Sequence, residues 1–351
     1  MSKFWSPMVA GLKPYVAGEQ PRMANLVKLN TNENPRGPSP KVLQAIRAAA
    51  TDDLRRYPDP SALALRETIA RYCSVGAYEV FVGNGSDEVL AFVFAALLRH
   101  DRPLLYPDIT YSFYPTYSQL FEIETVQIPL ADDFTVRPKD YRIACGGIII
   151  ANPNAPTGIA MPLAQIEQLL LDHPEQVVVI DEAYVDFGAD SAVSLVPRHD
   201  NLLVVQTFSK SRSLAGMRIG FAIGQRPLIE ALERMKDSFN SYPLDMLAQA
   251  AGVAAIEDEA WFQSCRREVM DNRTMLTSEL VSRGFEVLPS SANFVFARHR
   301  DRDGADLAKG LRDHAVIVRH FAKPRISQFL RITIGTSEES RRLLEALDQI
   351  L

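Results

Sequence analysis

At 351 residues the chain exceeds what one small core can use, and two domains are expected. A composition of 47% hydrophobic and 23% charged residues is that of a globular protein, and a net charge of −5 argues against a nucleic-acid binder, which needs a basic surplus. The strongest apolar run, 89–98, is too short to span a bilayer, so no membrane partner is expected.

The opening residues lack the apolar stretch and cleavage site of a signal peptide. Cys73, Cys145 and Cys265 lie far apart, odd in number, and form neither a disulfide framework nor a metal motif. The histidines show no ligand spacing, so no metal is expected. A reducing cytoplasm is the expected compartment.

In chain order, 1–27 is irregular, broken by Pro7, Pro14, Gly18 and Pro21. A polar, turn-rich stretch follows at 28–38. Residues 40–50 read as a helix with Val42, Leu43 and Ile46 on one face, and 63–72 as a second, with a loop at 56–60 between them. From Val80 the rhythm becomes strand, loop, helix. A short strand at 80–82 leads through a turn at 83–87 into a mostly apolar helix, 88–98. Strands are then expected at 103–106, 124–128, 147–151, 177–180, 202–205 and 219–223. Several are continuous Val/Ile/Leu runs, as in strands covered on both faces. Helices such as 163–171 lie between some of them. The fold class is therefore α/β, a large domain with a mainly parallel sheet flanked by helices.

Beyond Tyr242 the pattern changes. Helices at 247–256 and 261–283 precede short strands at 285–288, 293–297, 316–318 and 329–334 and a final helix, 338–351, which reads as a smaller α+β domain. The expected division is an N-terminal segment, 1–31, on the small-domain side and able to close over substrate, a large domain, 32–245, and a small domain, 246–351.

In open parallel sheets ligands sit beyond the carboxyl ends of the strands, where the polar motifs of this chain fall. Gly85-Ser-Asp87 opens a helix whose exposed N–H groups suit a phosphate, or simply cap it. The loop 107–114 offers rings that either stack on a flat cofactor or fill the core. Asn152-Pro-Asn-Ala-Pro-Thr-Gly158 holds an asparagine amide at a fixed place, or is only a tight turn. Asp181 ends an apolar strand, a costly position unless it is hydrogen-bonded or paired with a cation such as a protonated pyridine nitrogen; a helix cap is the ordinary alternative. Lys210, in the loop 206–218 between two apolar runs and followed by Arg218, is either a surface lysine or an amine placed to bond an aldehyde. Together these supply a phosphate cup, a ring stacker, a ring-oxygen partner, a carboxylate and an amine, the set that a pyridoxal phosphate site requires.

Those motifs carry a resemblance that runs nearly end to end. With Leu12-Lys-Pro-Tyr15, Lys28-Leu-Asn-Thr-Asn-Glu-Asn-Pro35, Arg56-Tyr-Pro-Asp59, Val179-Ile-Asp-Glu-Ala-Tyr184, Thr207-Phe-Ser-Lys210, Leu214-Ala-Gly-Met-Arg218 and Leu330-Arg-Ile-Thr-Ile-Gly-Thr336, the chain resembles the fold-type I pyridoxal-phosphate aminotransferases, and among them the histidinol-phosphate aminotransferase family. The resemblance implies pyridoxal 5'-phosphate as cofactor and a homodimer. It also implies amino transfer between L-histidinol phosphate and 2-oxoglutarate, a step of histidine biosynthesis. Lys210 would bond the cofactor and shuttle the substrate proton. Asp181 would pair with the ring nitrogen, Tyr184 would bond the ring oxygen and Tyr111 would stack on the ring. Gly85, Ser86, Asp87, Ser209 and Arg218 would hold the phosphate, with Tyr57 reaching it across the subunit interface. Arg331 would bind an α-carboxylate, and Tyr15 and Arg319 a distal phosphate. Asn32 and Asn293 are further substrate-side candidates.

Two departures from the pattern stand out. Ala155 occupies the position where an asparagine amide usually meets the ring oxygen, which leaves Asn154 or Tyr184 alone to do so. Arg212 follows the lysine where small or apolar residues are common, and either binds an anion or pairs with an acid away from the site. An aromatic amino-acid aminotransferase, a decarboxylase of a phosphorylated amino acid and a binding protein without chemistry are the alternatives. Intact Lys210 and Asp181 speak against the last.

Overall fold

The computed structural model describes residues 2–16 and 18–351. Its strands are β1 (Val27–Leu29), β2 (Val80–Asn84), β3 (Leu104–Pro107), β4 (Thr125–Ile128), β5 (Gly147–Ala151), β6 (Val177–Asp181), β7 (Leu202–Thr207), β8 (Ile219–Gly224), β9 (Phe285–Val287), β10 (Phe294–His299), β11 (Val316–His320) and β12 (Phe329–Thr333). The runs of Val, Ile and Leu in β5, β6 and β7 are buried on both faces, so neither face of this sheet can be left to water. Helices Pro40–Ala49, Leu63–Cys73 and Leu163–Asp172 cover one face. Helices Gly85–Leu97, Tyr114–Leu120 and Arg226–Phe239 cover the other.

The seven strands run in the order β2-β8-β7-β6-β5-β3-β4. All neighbours are parallel except at β8, which runs against both β2 and β7. That reversal has a consequence for the site. The loop after β7 turns straight back, so Arg218, which precedes β8, lies on the same sheet edge as Lys210. Gly85, Asp181 and the loops after β3 and β5 share this edge.

A second sheet has the order β1-β11-β12-β10-β9, with β1 parallel to β11 and the other pairs antiparallel. Helices Glu259–Ser282, Gly304–Asp313 and Ser337–Ile350 pack on it around Val269, Leu276, Leu311 and Leu343. Residues 27–29 thus join the smaller sheet before the chain enters the larger one.

The expected division at 245/246 needs correction. Helix Met246–Glu257 packs on helices 40–49 and 63–73, and its Ala248, Ala251 and Ala255 belong to the core of the larger sheet. Its small residues permit the close approach: a Cβ at Gly252 would fall 2.8 Å from Leu65 Cδ1. Nor is 83–87 a free turn, because β2 runs to Asn84 and the helix starts at Gly85. No helix among the described residues is long and apolar enough to cross a membrane.

Candidate active site

One cavity lies at the carboxyl edge of the larger sheet, closed from the other side by β11, β12 and the chain before them. Ser86, Asp87, Tyr111, Asp181, Tyr184, Ser209, Lys210 and Arg218 line it from the larger sheet, Asn32, Arg319 and Arg331 from the opposite wall, and Tyr15 lines it as well.

Lys210 is placed by a tightly braced loop. The Ser209 N–H donates to Thr207 Oγ1 at 3.1 Å, and the Phe208 N–H to the Ile219 carbonyl at 3.0 Å. Phe208 is buried edge-on against Phe221. Asn34 Nδ2 donates to the Lys210 carbonyl at 3.0 Å, and Ser211 Oγ donates to Asp186. The amine itself reaches into the cavity, where Nζ donates to the Thr31 carbonyl at 3.3 Å.

Asp181 sits at the end of β6, buried, with Oδ2 accepting from the Tyr114 hydroxyl at 2.9 Å and Oδ1 from the Ala183 N–H at 3.3 Å. Burial pushes its pKa up to about 6, against the pull of those two donors. A carboxylate in this position gains from any cation brought into the cavity. The neighbouring Glu182 is buried as well and is pushed up to about 7 by burial, but Ser191, Ala192 and Gln206 take up its oxygens outside the cavity.

At the start of helix 85–97 the backbone and a guanidinium come together. Arg218, in the left-handed conformation at φ 52°, pairs with Asp87 at 2.9 Å. Asp87 also accepts from the Tyr111 hydroxyl at 3.1 Å, and its carbonyl accepts from Tyr117 at 2.7 Å. Gly85 does not line the cavity; it allows the approach, because a Cβ there would fall 2.5 Å from Arg218 Nη2. A Cβ at Gly220 would fall 2.3 Å from the Ser86 nitrogen.

The opposite wall is cationic. Arg319 and Arg331 face each other in the β11–β12 register. Arg331 Nη2 donates to the Asn30 carbonyl at 2.8 Å, while its buried Nε has no partner among the described residues. Its guanidinium lies 5.4 Å from the Phe294 ring centre and 5.6 Å from that of Phe321, and burial pushes its pKa down. Tyr15 stacks on Phe113 with ring centres 4.6 Å apart, which docks the N-terminal segment at the cavity mouth. Asn32 Nδ2 donates to the Tyr184 hydroxyl at 2.9 Å. Asn293 is fully buried behind Asn32 and donates to its carbonyl.

Besides Gly85 and Asn293, Asn154 and Tyr57 also fall outside this cavity. Asn154 Nδ2 donates to the Ile109 carbonyl at 2.9 Å and Oδ1 accepts from Thr110 at 2.8 Å. Its amide is spent bracing the aromatic loop and does not line the cavity, where Ala155 stands instead. Tyr57 is 79% exposed and stacks on Tyr242, away from the cavity of its own chain. Arg212 points the other way: Nη1 donates to the Ala255 carbonyl at 2.8 Å, and the guanidinium lies 3.6 Å from the Phe262 ring centre and 3.8 Å from Glu259. Tyr114, and Thr333, whose hydroxyl bonds Asn32, are contributors the sequence reading missed. A buried tyrosine hydroxyl needs a partner, which was the available signal for Tyr114, but nothing in the spacing tied it to Asp181.

The family model for aminotransferase class I and II matches residues 24–347. The chain belongs to that family. Among curated relatives, this aminotransferase is 68% identical to histidinol-phosphate aminotransferase 2 of Rhizobium meliloti (strain 1021), over the full length of both chains. It is 63% identical, again over both full lengths, to histidinol-phosphate aminotransferase 1 of Bradyrhizobium diazoefficiens. Among solved structures, the histidinol-phosphate aminotransferase of Sinorhizobium meliloti in complex with pyridoxal-5'-phosphate superposes with a TM-score of 0.86 at 23% identity, covering 100% of this chain and 98% of that one. The Clostridium acetobutylicum enzyme gives 0.86 at 22% identity, covering 93% and 99%. These structures share the fold-type I architecture. Pyridoxal phosphate is the cofactor of the enzyme.

Proposed function

We propose that this aminotransferase moves the amino group of L-histidinol phosphate to 2-oxoglutarate, giving imidazole-acetol phosphate and L-glutamate in histidine biosynthesis. The cationic wall carries this reading. Histidinol phosphate bears a phosphate ester on the carbon that is a carboxyl in an amino acid, so one wall must accept a phosphate in one half-reaction and a carboxylate in the other. Arg331 and Arg319 lie side by side there with no carboxylate partner among the described residues. Planar guanidinium forks suit both anions.

The residues present fit the cofactor. Asp181 would hold the ring nitrogen, and a cation there offsets the burial that raises its pKa. Tyr184 would bond the ring oxygen and Tyr111 would lie against the ring. Ser86, Ser209 and Arg218 would hold the phosphate at the helix start, where Gly85 leaves room for the Arg218 guanidinium. The Asp87 carboxylate would act by fixing Arg218 and Tyr111. When bound, the cofactor supplies an aldehyde for the amino group and an electron-withdrawing ring. The chain supplies the proton handling. Lys210 Nζ, once uncharged, takes the proton from the substrate carbon, and Asp181 keeps a proton on the ring nitrogen. Arg331 holds the substrate so that this carbon faces Lys210, and Tyr15 screens the mouth from water.

A homodimer in the cytoplasm completes the reading, with Tyr57 of each subunit reaching the phosphate cup of the other. Its exposure, and its place outside its own cavity, support this. Two units, divided after 257, would flank the site, with the N-terminal segment docked on the larger one at Gly11, Lys13 and Tyr15 and on the smaller one from Glu19 onward.

Replacing Arg319 by alanine tests the substrate. The kcat/KM for histidinol phosphate is expected to fall roughly 30-fold or more, the size of one charged hydrogen bond, while that for phenylalanine falls far less. Equal losses would favour an aromatic amino-acid aminotransferase.

A further inference from the structure

Three successive residues beyond β1 touch three parts of the site. The Asn30 carbonyl accepts from Arg331, the Thr31 carbonyl from Lys210, and Asn32 bonds Tyr184. Asn32 is the most constrained of them. It is 1% exposed and left-handed, at φ 58°. Its N–H donates to Thr333 Oγ1 at 3.0 Å, and Thr333 Oγ1 donates back to Asn32 Oδ1 at 3.0 Å. Asn293 Nδ2 donates to the Asn32 carbonyl at 2.9 Å.

This network fixes the orientation of the Asn32 amide. Because Oδ1 accepts from Thr333, the amide nitrogen must face Tyr184. The Tyr184 oxygen then accepts, and its own hydrogen is left to be donated elsewhere. With Ala155 lining the cavity and the Asn154 amide used up in its loop, Tyr184 has no side-chain amide beside it from 152–158. The amide that serves it comes instead from the opposite wall, held by a hydroxyl two residues along the strand from Arg331.

We infer that Asn32 is a positioning residue that aims the Tyr184 proton into the cavity, and that Thr333 sets Asn32, so that the placement of strand β12 is read out at the Tyr184 hydroxyl. The inference rests on Tyr184 being the partner of the cofactor ring oxygen. A donor there draws negative charge from that oxygen and weakens its hold on the proton it shares with the Lys210 nitrogen. An aimed donor therefore lowers the pH at which the visible band of the lysine-bound cofactor changes, and a misaimed one lets that midpoint rise.

The test is a pH titration of that band in the holoenzyme. Tyr184→Phe is expected to raise the midpoint by about one pH unit, the scale of one hydrogen bond to a charged group. Asn32→Gly, which keeps the left-handed backbone and deletes the amide, and Thr333→Val are expected to raise it part of the way. Thr333→Ser should restore the native midpoint, and Thr333→Val should add nothing in a Tyr184→Phe background. If Tyr184→Phe moves the midpoint while Asn32→Gly and Thr333→Val do not, the relay is wrong and the site reading stands. If Tyr184→Phe itself leaves the midpoint unmoved, the ring-oxygen role of Tyr184 falls and the relay with it. Additive shifts in the double variant would place the effect elsewhere and overturn the inference. Asn32→Gly and Thr333→Val alter the network from its two ends, so failure of one to fold leaves the other to decide.

Discussion

The Tyr114 hydroxyl, buried behind the cavity, donates at 2.9 Å to Oδ2 of Asp181, which lines it. Tyr114→Phe keeps the ring, which packs against Phe94 and Tyr106, and removes only the donor. The variant is expected to lose about 1–3 kcal/mol of stability without cofactor, since a buried acceptor is left one partner short. The loss should be larger at about pH 8, where Asp181 is ionised, than at about pH 5. Thermal melts at both values check this, and a loss independent of pH would mean the bond does not serve the charged form.

Asp181 itself gives a pH dependence with a definite sign. Its pKa is raised from 3.8 to about 6 in the folded chain, so the cofactor-free fold binds that proton more tightly than the unfolded chain does. The ionised carboxylate then costs about 3 kcal/mol above pH 6, a penalty that fades as pH falls from about 6 towards 4. Asp181→Asn is accordingly expected to raise the melting temperature of the cofactor-free protein near neutral pH, and to lose that advantage in mild acid. The same change should weaken cofactor binding, because the ring nitrogen loses its counter-charge.

Arg212 follows Lys210 by two residues yet serves the fold. Arg212→Ala removes its stacking on Phe262 and its bond to the Ala255 carbonyl. A destabilisation of roughly 2 kcal/mol is expected, with the ratio of kcat/KM for histidinol phosphate over phenylalanine unchanged. A changed ratio would return Arg212 to the substrate site.

What could be read from the sequence follows from how each feature is encoded. Asp181, Lys210 and Ser86 were legible because each follows an apolar run too short and too buried to be anything but a strand, and parallel strands put their ends on one edge. The direction of β8 was not legible, since a run buried on both faces looks the same either way round. The sequence puts helix 246–257 with the smaller domain, whereas it packs on the larger sheet, because its Ala and Gly residues say that it packs closely, not against what. The sequence offers Asn154 in place of the asparagine missing at Ala155 and puts Asn32 on the substrate side, whereas Asn32 meets Tyr184 only because β1 crosses to pair with β11. Pairings that distant leave no local pattern.

Lys210 is proposed to carry the cofactor in a site built for histidinol phosphate. The most direct measurement is a single-turnover absorbance experiment on the holoenzyme, following the visible band of the lysine-bound cofactor with no oxo acid present. Rapid loss of the band with histidinol phosphate, little change with phenylalanine, and no such band in Lys210→Ala are the results expected. An equal response to phenylalanine would contradict the substrate assignment, and an unchanged band in Lys210→Ala would contradict the site itself.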